Sequence, residues 1–267
     1  MKRSPAVAGT FYPANPDNLE RLVRELTPQD HKPIRAVGAV SPHAGFIYSG
    51  SVAGMVYASI EIPDTVIVIG PNHTGYGSRA GIIPGGTFAM PGFTVDIDHE
   101  LADAIMQNST LLQDDFDSHA HEHSLEVQLP FIHYRNPAAK IVPLCVMGRG
   151  YDFVNSLGST IAKAISDSGK RALIVASSDM THYEPQAVAQ KKDNLSIQKI
   201  LDLDAAGLLK VTEEEDISMC GVVPTAIMLI SARQLGAQKA KLIDYRTSGQ
   251  VTHEYDEVVG YASIAVY

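Results

Sequence analysis

Short apolar runs alternate along this chain with longer stretches of helical period. Residues 37–40, 66–69, 141–146 and 172–176 are nearly unbroken apolar runs with β-branched residues prominent, which predicts strands covered on both faces. Between and after them, 18–26, 51–60, 99–107, 153–166, 187–201 and 225–234 read as helices. The last places Ala226, Leu229 and Ile230 on one face, with Gly236 as a stop beyond its end. Such alternation predicts an α/β fold with a mostly parallel central sheet and helices on both faces. Residues 241–247 and 258–266 have no helix predicted between them, so they are expected to add an antiparallel margin to the sheet. No fixed-period repeat, low-complexity segment or linker interrupts the pattern, and residues 1–267 are expected to form a single domain.

Three of these strands run into histidine. AVGAVSPHAG delivers His43, IVIGPNHTG delivers His73, and LIVASSDMTHY delivers Asp179 and His182. In open α/β sheets ligands bind beyond the carboxyl ends of the strands, where loops distant in sequence emerge together. Proline and glycine beside His43 and His73 favour tight loops that hold an imidazole at a fixed aim. Any one of these is an ordinary loop histidine; the shared habit points to a common site. A metal ion needs such placement, because neutral imidazole nitrogens must sit about 2.0–2.1 Å from it. Cys220, in ISMCGVVPTAIML, precedes a helix marked by Pro224, where the helix dipole favours thiolate. The other reading of Cys220 is a small buried residue. Two histidines and a thiolate leave coordination positions open for chemistry.

The densest polar cluster is DSHAHEHSLEVQLPF. A metalloprotease H-E-x-x-H starting at His121 fails, because Leu125 stands where the second histidine is needed. His123 and Glu126 share a face if the segment is helical, fit to support a ligand or line a pocket. His119 and His121 are expected in a solvated loop. Cys145, within KIVPLCVMG, reads as core.

Composition and charge narrow the partners. Hydrophobic residues make up 45% and charged residues 19% of the 267, as in an ordinary globular protein with a sizeable core. The 21 basic and 30 acidic side chains give a net charge of −9, and no Lys/Arg cluster tracks a phosphate backbone, so no nucleic acid is expected as partner. No window approaches the roughly 18 uninterrupted apolar residues of a membrane span. MKRSPAVAGTFYP lacks the apolar core of a signal peptide, and two cysteines make no disulfide framework, so a cytoplasmic location is expected. No P-loop is present, Ala80 breaks the dinucleotide fingerprint after Gly75 and Gly77, and no G-x-S-x-G surrounds Ser177 and Ser178.

Taken in order, SPHAGFIYSG, GPNHTGYG, EHSLEVQLPF, SSDMTHY and MCGVVP resemble the Memo family, also called AmmeMemoRadiSam system protein B. The opening AVAGTFYP and the closing VVGYASIAV extend the resemblance over nearly the whole chain. It implies a fold similar to the class III extradiol ring-cleaving dioxygenases, a single α/β domain built around non-haem iron(II). Carried over by motif, His43, His73 and Cys220 would be the metal ligands. His182 would take the acid–base place with Asp179 beside it, His123 would be a further pocket residue, and Tyr48 and Tyr12 would line the substrate cleft. The dioxygenases have a carboxylate where Cys220 stands; the softer thiolate admits copper or zinc as well as iron(II). The function these expectations describe is a metal-dependent oxidoreductase acting on a small aromatic or oxidisable molecule. One alternative is a non-catalytic metal- or peptide-binding module working with protein partners, radical-SAM-associated proteins among them. The other is a zinc hydrolase with two histidines and a cysteine as ligands.

Overall fold

A computed structural model of the chain describes residues 1–28 and 32–267. It runs β1 (Lys2–Arg3), α1 (Pro16–Leu26), β2 (Gly38–Ser41), α2 (Phe46–Ser59) and β3 (Thr65–Pro71) before a series of shorter pieces. These are β4 (Ala80–Ile82), β5 (Thr87–Met90), β6 (Phe93–Asp96), α3 (His99–Gln107), β7 (Gln113–Asp114), α4 (Asp117–Ala120), a 3₁₀ turn at Glu126–Gln128 and α5 (Leu129–Arg135). Next come β8 (Lys140–Val146), α6 (Tyr151–Ser168), β9 (Ala172–Ser177), β10 (His182–Glu184) and α7 (Gln186–Leu201). The chain ends through α8 (Ala205–Glu214), α9 (Val222–Gln234), β11 (Ala240–Thr247), α10 (Gly249–Thr252) and β12 (Val258–Val266).

The spine is parallel: β2, β9, β3 and β8 lie side by side in that order. Every residue of β2, β3 and β9 is buried, which is why these strands read as continuous apolar runs without alternation. The margins are mixed. β12 runs antiparallel to β2 and pairs with β10 and β11, while β4 runs antiparallel to β8 and carries β7 at its outer side. The C-terminal pair therefore forms the expected antiparallel addition, with the single turn of α10 in a connection predicted to hold no helix. A separate three-stranded sheet, β1-β5-β6, ties the N-terminus to the middle of the chain.

Helices cover both faces. α9 packs on β2, β9 and β3, with α6 and α8 against it, while α2 packs on β2 and β12 with α1 and α5 beyond. α9 was expected to bury one face, but every residue from Pro224 to Ala232 is buried, because α6 and α8 enclose the side away from the sheet. Helix starts are set by short polar side chains: Asn15 accepts from the Asn18 N–H, Asp98 from Leu101 and Asp204 from Gly207. α6 ends at Gly169, whose φ of +63° lies in the left-handed region.

A glycine near the end of β3, Gly70, allows the segment after α4 to lie directly on the sheet. A Cβ added there would sit 2.3 Å from Ser124 Oγ and 2.8 Å from Leu125 Cδ1. Gly70→Ala is expected to lower stability by about 1–3 kcal/mol, the usual cost of overpacking, and to be read as a lower urea midpoint with unchanged slope. An unchanged midpoint would show that the 122–128 segment is free to retreat from the strand.

Candidate metal centre

Because β2, β9 and β3 are neighbours, the loops that leave their carboxyl ends open side by side. His43 lies in the short loop between β2 and α2, His73 just past β3, Asp179 just past β9, and His182 opens β10. Cys220 precedes Gly221, the N-cap of α9. A further contribution comes from the connection between α4 and the 3₁₀ turn, which carries Glu122 and His123 over the end of β3.

The histidines converge. Among the described residues, His43, His73 and His123 form the group of three donors whose ligand atoms all lie within 4.8 Å of one another. The His73 and His123 rings stack with centroids 4.6 Å apart, and His43 meets them edge-on at 5.1 and 5.4 Å. Phe11, from the N-terminal segment, covers His123 at 4.8 Å. The trio is not the expected one: His123 stands in it, while Cys220 approaches from one side, its Sγ 3.2 Å from His43 Nε2.

Glu122, fully buried, organises two of the rings. Its carboxylate accepts from the backbone N–H of His73 at 2.6 Å, from that of Ser124 at 2.8 Å and from His73 Nδ1 at 2.9 Å, and it lies 3.4 Å from His123 Nδ1. Burial works against its charge, but the hydrogen bonds and nearby charge of His73, with the Ser124 N–H, hold the carboxyl at about 2. An ionised carboxylate only accepts, so His73 carries a proton on Nδ1, and Nε2 is the nitrogen turned away from the carboxylate. Glu122 went unnoticed in the sequence except as part of a failed protease motif. The signal available was an acid flanked by two histidines, the arrangement in which a carboxylate orients a ligating imidazole.

Burial, reinforced by the neighbouring imidazoles, drives His43 well below its ordinary pKa, and burial also lowers His123. Both are therefore neutral at physiological pH, the form in which imidazole binds a metal. Three convergent neutral or carboxylate-backed imidazoles with a thiol beside them suit a borderline ion such as zinc, iron(II) or copper. The residues present fit a metal.

Several other residues sit differently from expectation. Tyr12, expected in the cleft, is 3% exposed, and its hydroxyl donates to Glu126, since a buried phenol needs an acceptor. Glu126 does not turn toward His123; it is buried in an ion pair with Arg3 and accepts from the Ala6 and Val7 N–H groups. His119 is buried in α4, its Nδ1 2.9 Å from the Asp115 carbonyl, whereas His121 is exposed as expected. Asp179 accepts from the N–H groups of His43 and Ala44 at 2.7 and 3.3 Å, and His182 is anchored instead by Ser218, whose carbonyl lies 3.0 Å from Nδ1. Burial, with Asp179 adding to it, raises the Cys220 thiol, overriding the helix dipole that was expected to favour thiolate. Tyr48 lies in the first turn of α2, 40% exposed. Cys145 is fully buried in β8, as its apolar surroundings predict.

Comparison with known proteins agrees with this architecture. The sequence profile described as "Memo-like protein" matches residues 3–265. A MEMO1 family protein of Methanopyrus kandleri is 40% identical over 278 residues, covering 99% of this chain and 98% of the relative. One from Methanosarcina acetivorans is 44% identical over 266 residues, covering 99% and 98%. In structure, an uncharacterized protein from Escherichia coli K12 superposes with a TM-score of 0.56 at 13% identity, covering 86% of this chain and all of the other, which is a likeness of fold. With the motifs in their expected order and relatives aligned end to end, the chain belongs to the Memo family.

Proposed function

We propose that the protein is a metal-dependent oxidoreductase of dioxygenase-like type, acting on a small aromatic or otherwise oxidisable substrate at the carboxyl edge of the sheet. The observation that carries this reading is the convergence of His43, His73 and His123 within 4.8 Å. His43 and His73 would hold the ion, with His123 and Cys220 competing for or sharing the remaining donor role. When bound, the metal, iron(II) in this reading, supplies Lewis acidity and redox capacity.

The protein's own groups divide the remaining work. His182 Nδ1 faces the Ser218 carbonyl, which only accepts, so the proton is on Nδ1 and Nε2 is left free to take a proton from a substrate hydroxyl. Its backbone N–H, bonded to Ser218 Oγ at 2.8 Å, fixes the start of β10. Tyr48 offers a hydroxyl and a ring face to a bound aromatic. Asp179 clamps the His43 loop through two backbone N–H groups and thereby sets the height of that imidazole.

A second reading, a binding module for a peptide or a radical-SAM-associated partner, draws support from one feature. Ile47 and Tyr183, 72% and 74% exposed, adjoin the His43 loop and His182, and Tyr183 is held at a φ of +58°. Large exposed apolar side chains beside a functional loop suit a docking surface.

His182→Ala is expected to keep its metal after anaerobic loading while turnover falls about 10²–10⁴-fold, measured as oxygen consumption with a catechol panel alongside metal analysis. Loss of metal in that variant would make His182 a ligand. Wild-type protein that retains metal but consumes no oxygen with any catechol would favour the binding reading.

A stability test probes Asp179. Burial raises its carboxyl from 3.8 to about 6, against the lowering by the His43 and Ala44 N–H groups. Between those values the folded state holds more protons than the unfolded one, so stability falls as pH rises through that window, and at neutral pH the buried charge burdens the fold. Asp179→Asn is therefore expected to stabilise the metal-free protein at pH 7 by about 1–3 kcal/mol and to change little at pH 4, read by thermal melts. A variant no more stable than wild type at pH 7 would show that the accepted N–H bonds outweigh the buried charge.

A further inference from the structure

We propose that Ser177 is a positioning residue that selects the tautomer of His43 in which Nε2 is bare and able to take a metal. The hydrogens around one buried hydroxyl allow no other arrangement.

Ser177 closes β9 and is completely buried. Its Oγ has three partners: the Ser124 carbonyl at 2.6 Å, Gln128 Nε2 at 2.8 Å and His43 Nδ1 at 2.9 Å. A carbonyl oxygen only accepts, and two oxygens 2.6 Å apart need a hydrogen between them, so the single Ser177 proton goes to Ser124. The Gln128 amide cannot be turned to change this. Its nitrogen also donates to the Pro42 carbonyl at 2.9 Å, and its oxygen accepts from the Tyr57 hydroxyl at 2.9 Å, so reversing it would set oxygen against oxygen on the Pro42 side. Gln128 thus gives Ser177 a hydrogen and fills one lone pair. The other lone pair faces His43 Nδ1, which must supply the hydrogen of that contact. His43 is therefore the Nδ1–H tautomer, and its Nε2 presents a lone pair. Within hydrogen-bond distance of that nitrogen lies Cys220 Sγ at 3.2 Å, a thiol that can donate to it or to the Asp179 carbonyl 3.6 Å away.

One short segment supplies most of this control. Ser124 and Gln128 belong to the same 122–128 stretch as Glu122, which fixes the His73 tautomer, and His123 itself. Ser177 extends that control to His43, which the segment does not touch through its own carboxylate. The use of the lone pair rests on the proposed metal centre; the tautomer assignment does not.

The test is long-range proton–nitrogen correlation NMR on metal-free protein carrying ¹⁵N-histidine. Wild type is expected to show His43 protonated at Nδ1 and bare at Nε2. In Ser177→Ala the Nδ1 hydrogen loses its acceptor, and the ring is expected to move its proton to Nε2, opposite Cys220, while His73 keeps its tautomer. Zinc and cobalt(II) titrations of that variant are expected to show affinity lowered about 10–100-fold, the usual effect of losing an orienting partner, with recovery in Ser177→Thr. A wild-type His43 protonated at Nε2 overturns the proposal whether or not the alanine variant folds, and so does a Ser177→Ala protein that keeps the wild-type tautomer. Tautomers as described in a wild-type protein that binds neither metal support the assignment and defeat the metal reading instead.

Discussion

A buried, ionised carboxylate between imidazoles is the interaction on which the rest of the site depends. Glu122 has no exposed surface, yet it accepts three hydrogen bonds from the His73 and Ser124 neighbourhood. Removing a carboxylate from water costs several kcal/mol unless its oxygens are fully engaged. The fold meets that demand by bringing the end of β3 and the segment after α4 into one register, with Gly70 giving the needed clearance. Once Glu122 is satisfied there, His73 and His123 have little choice of position.

The segment that carries Glu122 is itself held from outside the site. Arg3, 2% exposed, pairs with Glu126 and donates to the carbonyls of Glu122 and His119 at 2.6 and 3.1 Å. The Glu126 carboxylate also receives two backbone N–H groups and the Tyr12 hydroxyl. A segment rich in polar groups can enter a dry interior only if each group finds a partner. The N-terminal residues are those partners, and Phe11 then reaches His123 as part of the same wrap. The first dozen residues thus belong to the scaffold of the histidine cluster although none of them points a donor at it.

The spine of the fold was legible because fully buried parallel strands write continuous apolar runs and long helices write several periods; β3, β8, β9, α3 and α7 fall within a few residues of expectation. β4 to β7 were not, since strands of two to four residues carry too few positions to show a period. His43 and His73 stood out because they follow apolar strands, and Cys220 because it precedes a helix N-terminus. Glu122, Ser177 and Gln128 did not, because an orienting group is defined by what it touches, and the contacts of Glu122 with His73, of Gln128 with Ser177 and of Ser177 with His43 span 49 to 134 residues in sequence. Tyr12 misled for the related reason that a tyrosine in a motif says nothing of which end is wet. The helix N-terminus that Cys220 precedes is visible in sequence, whereas the burial that raises its thiol in the metal-free protein is not.

The two sides of the imidazole cluster are consequently unlike. His73 is backed by an anion, stands partly in solvent, and receives charge density through its Nδ1–H. His43 is backed by a neutral hydroxyl, is almost wholly buried, and has the thiol of Cys220 against its inner nitrogen. A carboxylate behind an imidazole raises its basicity, and a hydroxyl does so less. A ligand set built this way is asymmetric before anything binds: one strong, accessible donor at the mouth and one weaker, shielded donor beside sulfur. The two sides of the cluster therefore differ in chemistry as well as exposure: Asp179 and Ser218 tie Cys220 and His182 to the His43 side, while His73 stands at the more exposed one.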